Sequence, residues 1–184
     1  MKQQEDIPAD LSELIRLGTV TAVDLAAATC TVRYGDPDDD DGGAETPPIR
    51  WLASRAGQTR VWSPPSVGEQ VIVLAPDGQL AGAVALTGIW QDAFPPPGVT
   101  LTEFFLFADG ARIAYDPVGH ALSVTLPAGG TAEIDAPGGL TIRGDVSIEG
   151  TVTVSEDVTA SGISLTGHKH GNVQSGTSQT GGPL

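Results

Sequence analysis

Leu140-Thr141-Ile142-Arg143-Gly144-Asp145-Val146-Ser147-Ile148-Glu149-Gly150-Thr151-Val152-Thr153-Val154 is the stretch whose reading decides the fold. Apolar residues or glycine hold every even position here and polar or charged residues nearly every odd one. The alternation extends from Leu122 to Gly162 with Glu156 as its one break. Period two means extended chain with one dry and one wet face. A single strand is excluded: about forty residues at roughly 3.3 Å each would reach on the order of 130 Å, against a radius of gyration of about 16 Å for a compact chain of this length. The segment must fold back repeatedly or wind with partner chains into a rod.

A second period lies inside the first. The pairs Leu140/Ile142, Val146/Ile148 and Val152/Val154 recur every six residues, and glycines stand at 138, 144, 150 and 162. A six-residue repeat marks a β-helix, in which three faces or three chains each contribute one short strand per layer. Ile163 and Leu165 are odd-numbered, so the phase slips near Gly162.

Upstream, Asp10 to Leu17 reads as a short helix, with Asp10 as N-cap, Glu13 three residues later, and Leu11, Leu14 and Ile15 on one side. Strands are then expected at Thr19 to Val23, Thr29 to Tyr34, Ile49 to Leu52, Val67 to Leu74 and Ala81 to Thr87. Such short strands with Gly and Pro punctuation suit a small barrel or sandwich. Phe94-Pro95-Pro96-Pro97-Gly98 is a stiff linker. Phe104 to Tyr115 is a hairpin turning at Asp109-Gly110, and Asp116 to Gly119 turns the chain into the long alternation.

Composition narrows the function classes. The 184 residues carry a formal charge of -14, which argues against nucleic acid, since phosphate binding needs clustered Lys and Arg. Aromatic residues make up 5%, and few rings among many Val, Thr and Gly suit narrow β cross-sections. Cys30, sharing a face with Val32 and Tyr34, reads as a buried, inert thiol. No secretory h-region and no apolar run approaching membrane-spanning length is visible, so synthesis in a cytoplasm without an anchor is expected.

Chemistry-bearing candidates are few. His168 and His170 are two apart, so in extended chain both imidazoles point the same way. One copy supplies two nitrogens, too few to hold a metal firmly; around a threefold axis the pair supplies six, which suits an octahedral ion such as ferrous iron better than zinc. The alternative is a polar tail that happens to contain two histidines. If both face an axis, a compensating slip near Gly167 is required. The acidic run from Asp36 to Asp41 fails the EF-hand spacing in either register and reads as a solvated loop. His120 reads as a surface turn residue, and Trp51, Trp62 and Trp90 as core packing. No nucleophile motif, phosphate loop or zinc-type cysteine pair occurs, and the expectation is a protein that is not an enzyme.

Several segments together are specific: Trp51-Leu52-Ala53-Ser54-Arg55-Ala56-Gly57, Trp62-Ser63-Pro64-Pro65-Ser66-Val67-Gly68-Glu69-Gln70-Val71, Leu86-Thr87-Gly88-Ile89-Trp90, Phe107-Ala108-Asp109-Gly110-Ala111 with Tyr115, Gly167-His168-Lys169-His170, and the closing Gly181-Gly182-Pro183-Leu184. On these the chain resembles the baseplate assembly protein V family, the central spike of contractile-tailed bacteriophages and of related phage-tail-like bacteriocins (tailocins). The resemblance implies an all-β homotrimer: an N-terminal OB-fold barrel, an intertwined trimeric β-helix, and a pointed metal-binding apex. That apex would hold one iron ion per trimer through His168 and His170 of each chain.

On this sequence the implied divisions are an N-terminal helix at 1–17, an OB-fold domain at 18–97, a triple-stranded β-helix at 98–166 and an apex at 167–184. The implied role is to pierce the host outer membrane when the sheath contracts. Its implied place is the baseplate tip of the virion tail, against baseplate hub and tail tube proteins, after assembly in the host cytoplasm. Nucleic acid is not an implied partner, because the barrel fold does not fix a function. Two rivals remain at this point. The hexads also fit a hexapeptide-repeat acyltransferase, although about four of them make too small a core for one chain and no catalytic histidine lies among them. A carbohydrate-binding module would use the barrel and its tryptophans.

Overall fold

The structure, a computed structural model, describes residues 13–36, 43–170 and 176. Described residues are all-β apart from short 3-10 turns. The chain divides into two compact units, 1–131 and 132–184, and each is taken by itself.

The first unit is built on a closed barrel. Strand β1 (Ile15–Asp24) is the hub, pairing antiparallel with β2 (Thr29–Tyr34) on one side and β5 (Gln70–Leu74) on the other. β5 pairs with β6 (Val84–Leu86), and β6 runs parallel to β4 (Arg50–Trp51). The ring closes through a single stretch. It begins at β3 (Ala44–Glu45), which pairs with Arg33 and Tyr34 of β2. Thr46 N–H then donates to Val32 O, and Ile49 exchanges both backbone hydrogen bonds with Cys30 before β4 joins β6. Thr46 is the buried polar residue of the corner, and its hydroxyl satisfies the Val32 N–H at 3.1 Å, as a buried donor requires.

One strand can serve two partners because β1 bends. Its register with β2 shifts between Val20 and Ala22, a bulge at Thr21, whose hydroxyl donates to Thr31 O. Gly18 permits the close approach: a Cβ there would stand 2.5 Å from Val32 Cγ1 and 2.6 Å from Arg33 O. The core is small and branched, made of Val20, Cys30, Val32, Ile49, Val71, Val73, Ala75, Ala83 and Ala85 without a ring among them. This is the narrow cross-section that the low aromatic content predicts. Burial pushes the Cys30 thiol up, aided by the Glu69 charge, in keeping with an inert thiol.

The predicted elements need four corrections. Ile15 to Leu17 are strand and not helix; the spacing of Leu14 and Ile15 fits a helix locally, but Ile15 to Thr19 pair with β5 and Leu14 O accepts from Ala75 N–H, so tertiary pairing overrides the local pattern. Asp10 to Ser12 lie outside the described residues. The strand expected from Val67 starts at Gln70, after a turn centred on Val67 and Gly68, and the one expected from Ala81 starts at Val84, after a 3-10 turn. The short β3 is not among the expected strands.

A separate three-stranded antiparallel sheet follows the proline linker: β7 (Glu103–Leu106), β8 (Arg112–Asp116) and β9 (Ala121–Thr125). The β7–β8 turn is closed by Gly110 N–H to Phe107 O, with Gly110 at φ 88°. In the β8–β9 turn Asp116 Oδ1 accepts the Val118 N–H and exposed His120 takes φ 53°, the surface turn role expected of it. Phe105, Ile113 and Val124 lie side by side across the strands, as do Tyr115 and Leu122, and all five are exposed.

From Leu126 to Val158 no strand pairing occurs, although the run alternates as before. Its even-numbered apolar residues face solvent: Ile134 is 73% exposed, Ile142 64% and Val152 60%. Gly144 and Gly150, six residues apart, share nearly one backbone conformation, φ 129° and 136°, in a region L side chains avoid. The six-residue spacing is thus matched in backbone conformation at these two glycines, though not at Gly138.

Candidate metal centre

The two histidines stand on a small hairpin. Strand β10 (Thr159–Ala160) pairs antiparallel with β11 (Ile163–Ser164), Thr159 opposite Ser164 and Ala160 opposite Ile163. The two residues between them, Ser161 and Gly162, both have positive φ, 51° and 83°. That is the type I′ geometry whose twist matches a tight hairpin. The phase slip at Gly162 is thus a reversal of chain direction, after which odd positions inherit the place of even ones.

The ladder continues beyond the named strands. Leu165 N–H donates to Val158 O at 2.9 Å. In the next rung a side chain replaces the backbone acceptor: Asp157 Oδ1 takes the Thr166 N–H at 3.1 Å. The Ser164 hydroxyl first, and then the Thr166 N–H, hold the exposed Asp157 carboxyl below its usual range.

A second turn then brings the histidines in. Ser164 Oγ accepts from Gly167 N–H at 2.8 Å, and Ser164 O accepts from His168 N–H at 3.2 Å. This turn lies where a second slip is expected if both histidines face an axis. His168 Nδ1 lies 3.0 Å from Ser164 O and 3.1 Å from Leu165 O. Carbonyl oxygens only accept, so Nδ1 carries the proton and Nε2 keeps its lone pair for a ligand. The His168 and His170 rings meet edge to face, with centroids 5.1 Å apart. Among the described residues no three His, Cys, Asp or Glu side chains gather to hold an ion, so one chain offers the imidazole pair alone. The donor chemistry fits a metal: two adjacent imidazoles, one with its Nδ1 held by main-chain acceptors.

Asp157, Ser164 and Thr166 are not evident as site residues in the sequence. The available signal is the Ser161-Gly162 dipeptide, a turn former; once it is taken as a two-residue turn, counting outward sets Asp157 opposite Thr166. The tryptophans need a correction. Trp51 packs partly buried on the barrel core and against Trp62, with centroids 5.4 Å apart, but Trp62 and Trp90 are about 60% exposed. Both sit in loops outside the barrel strands, where the small core has no room for a ring. Trp90 instead edges a shallow groove of about 210 Å3 with Phe94, Ile89 and Glu69. Within the Asp36 to Asp41 run, residues 37–41 lie outside the described residues, as does the closing Gly181 to Leu184 segment.

Comparison with known proteins agrees with both parts of this layout. The family described as "Type VI secretion system/phage-baseplate injector OB domain" matches residues 16–90, which spans the closed barrel. The GpV Apex motif matches residues 162–183, beginning at the glycine of the type I′ turn. The spike protein of Escherichia phage P2 is 34% identical over 189 aligned positions, which cover 98% of this chain and 85% of the relative. A closed OB-type barrel, an unpaired six-residue repeat and an apex motif on the histidine hairpin, matched over almost the full chain, mean that this protein belongs to the central spike family of contractile phage baseplates.

Proposed function

We propose that three copies of this chain wind residues 98–166 into an intertwined β-helix, and that His168 and His170 of each copy together hold one iron ion at its apex. The observation that carries this reading is the exposed alternation. Eight Leu, Ile and Val residues from Ile134 to Val158 stand at even positions and are 40% exposed or more. Fully burying each from full exposure is worth about 1.5–3 kcal/mol, so at most roughly 12–24 kcal/mol per chain before ordering costs. Backbone groups from Ile134 to Asp157 have no ladder partners in one chain among the described residues, and extended chain with a dry face needs them satisfied. Two further copies supply both the missing core and the missing rungs.

The spike is a structural element rather than an enzyme. Set at the baseplate tip of the tail and joined to hub and tube proteins, it is driven through the host outer membrane when the sheath contracts. Chains hydrogen-bonded to one another at every layer resist peeling under that load. The ion, when bound, adds cross-links among three C-terminal segments where fraying is easiest. The acidic surface, with net charge -14 per chain, keeps finished spikes soluble until they are built into a baseplate in the host cytoplasm.

Mass measurement by light scattering and elemental analysis on one sample test this. The expected result is a trimer with about one iron per three chains. A monomer overturns the rod and the shared site together. Replacing both histidines, His168→Ala with His170→Ala, should abolish the metal and leave the trimer assembled, because the repeat lies upstream of both.

A further inference from the structure

We propose that Asp157 is a positioning residue for the metal-binding histidine, acting through the hairpin and never touching the ion. This inference rests on the apex reading above and adds a residue to it. Four contacts carry it. Asp157 Oδ1 accepts the Thr166 N–H at 3.1 Å, which fixes the strand end after the type I′ turn. Ser164 Oγ lies 3.3 Å from the Thr166 hydroxyl and accepts from Gly167 N–H at 2.8 Å. Ser164 O accepts from His168 Nδ1 at 3.0 Å. Asp157 is thus linked, through Thr166 and Ser164, to the acceptor that sets the His168 tautomer.

The chemistry explains why a carboxylate stands there. Position 157 is the last rung of the hairpin, and its facing position 166 starts the turn that carries the histidines. A backbone carbonyl at this rung would be neutral. A carboxylate accepts the Thr166 N–H with a full charge, a stronger anchor for the strand end, beside the Ser164 hydroxyl that accepts from Gly167 N–H. Without the carboxylate the turn loses its outer anchor, and the Ser164 and Leu165 carbonyls no longer meet Nδ1 at fixed distance. Nδ1 and Nε2 then compete for the proton, and the nitrogen presented to the metal is no longer set in advance.

The test uses the purified full-length trimer loaded with ferrous iron and challenged with excess 2,2′-bipyridine. Wild type, Asp157→Ala and Asp157→Asn are compared for iron per trimer, rate of iron loss and X-ray absorption at the iron edge. Asp157→Ala should lose iron about tenfold faster than wild type, the lower end of what removing an outer partner of a ligating histidine costs. Its absorption spectrum should show broadened nitrogen distances. Asp157→Asn, which can still accept from Thr166 N–H but without the charge, should fall between, at about threefold.

Unchanged loss rate and spectrum in Asp157→Ala, with wild type holding its iron, overturn the positioning role and leave the apex reading intact. Wild type that takes up no iron overturns the apex reading itself, and this inference with it. If Asp157→Ala does not assemble, Asp157→Asn decides the matter: a rate equal to wild type counts against the proposal and an intermediate one supports it.

Discussion

The barrel and the long alternation use the same device, extended chain with small branched residues at every second position, and reach opposite ends. In the barrel, Val20, Val32, Val71 and Val73 are fully buried, because the stretch from Ala44 to Trp51 closes the ring within one chain. In the run from Ile134 to Val158 the equivalent residues face solvent, because among the described residues of the same unit none pairs with them to cover them. Alternation therefore specifies a dry face without specifying who shares it; closure decides that. A strand set that closes on itself makes a domain, and one that does not makes a subunit.

The largest test of this contrast removes the shared core while leaving the closed one. Ile142→Asp combined with Ile148→Asp places two carboxylates per chain in consecutive layers, six around a common axis. Burial of unpaired charge costs several kcal/mol per group, so the variant should run as a monomer in light scattering. Its barrel should still give dispersed methyl resonances for Val20, Val32, Val71 and Val73. Retention of the trimer would place the seam elsewhere.

A smaller effect is expected from the reverse experiment. Gly18→Ala puts a methyl group against Val32 Cγ1 and Arg33 O, each within 2.6 Å, and should lower barrel stability by about 1–3 kcal/mol in thermal unfolding. The variant should still sediment as a trimer. Loss of the trimer in Gly18→Ala would show that the two regions are not independent in the sense drawn above.

The sequence revealed more of the closed region's strands than of its closure. Thr29–Tyr34 is legible to the residue, because Cys30 and Val32 alternate between turn formers. The segment from Ala44 to Trp51 is not, since its role depends on reaching Cys30 and Val84 at once, a relation no local pattern encodes. Ile15 to Leu17 misled for the same reason: their spacing satisfies a helix, and only β5 alongside makes them strand. In the apex, the spacing of His168 and His170 alone is a weak signal, and their place at the end of the six-residue repeat is what singles them out. The reversal at Ser161-Gly162 showed only as a change of phase, and Asp157 was hidden because its partner exists only after that turn is made.

The smallest expected effect concerns pH at this hairpin. Because the Asp157 carboxyl is held below its usual range, the folded hairpin binds that proton less readily than the unfolded chain. Its contribution is fully present above the ordinary carboxylate pKa of about 4 and is lost as pH falls through the lowered folded value. In the trimer carrying His168→Ala and His170→Ala, where no imidazole at the apex can confuse the reading, the Thr166 amide resonance should stay constant down to about pH 4 and shift only below it. A midpoint above that range would contradict the bond.

Closure of the barrel has a further consequence for how a spike is put together. A sheet with unpaired margins is a template on which any neighbouring strand can be added, and the proposed trimer would bring three barrels close at high effective concentration. Since the stretch from Ala44 to Trp51 joins β2 to β6, the barrel offers neighbouring copies no such margin. In the proposed trimer, strand exchange between copies would then be steered away from the barrels and toward the repeat that holds Gly144 and Gly150. The ring would thereby work as a fidelity device, favouring one register among many that three long alternating strands could otherwise adopt.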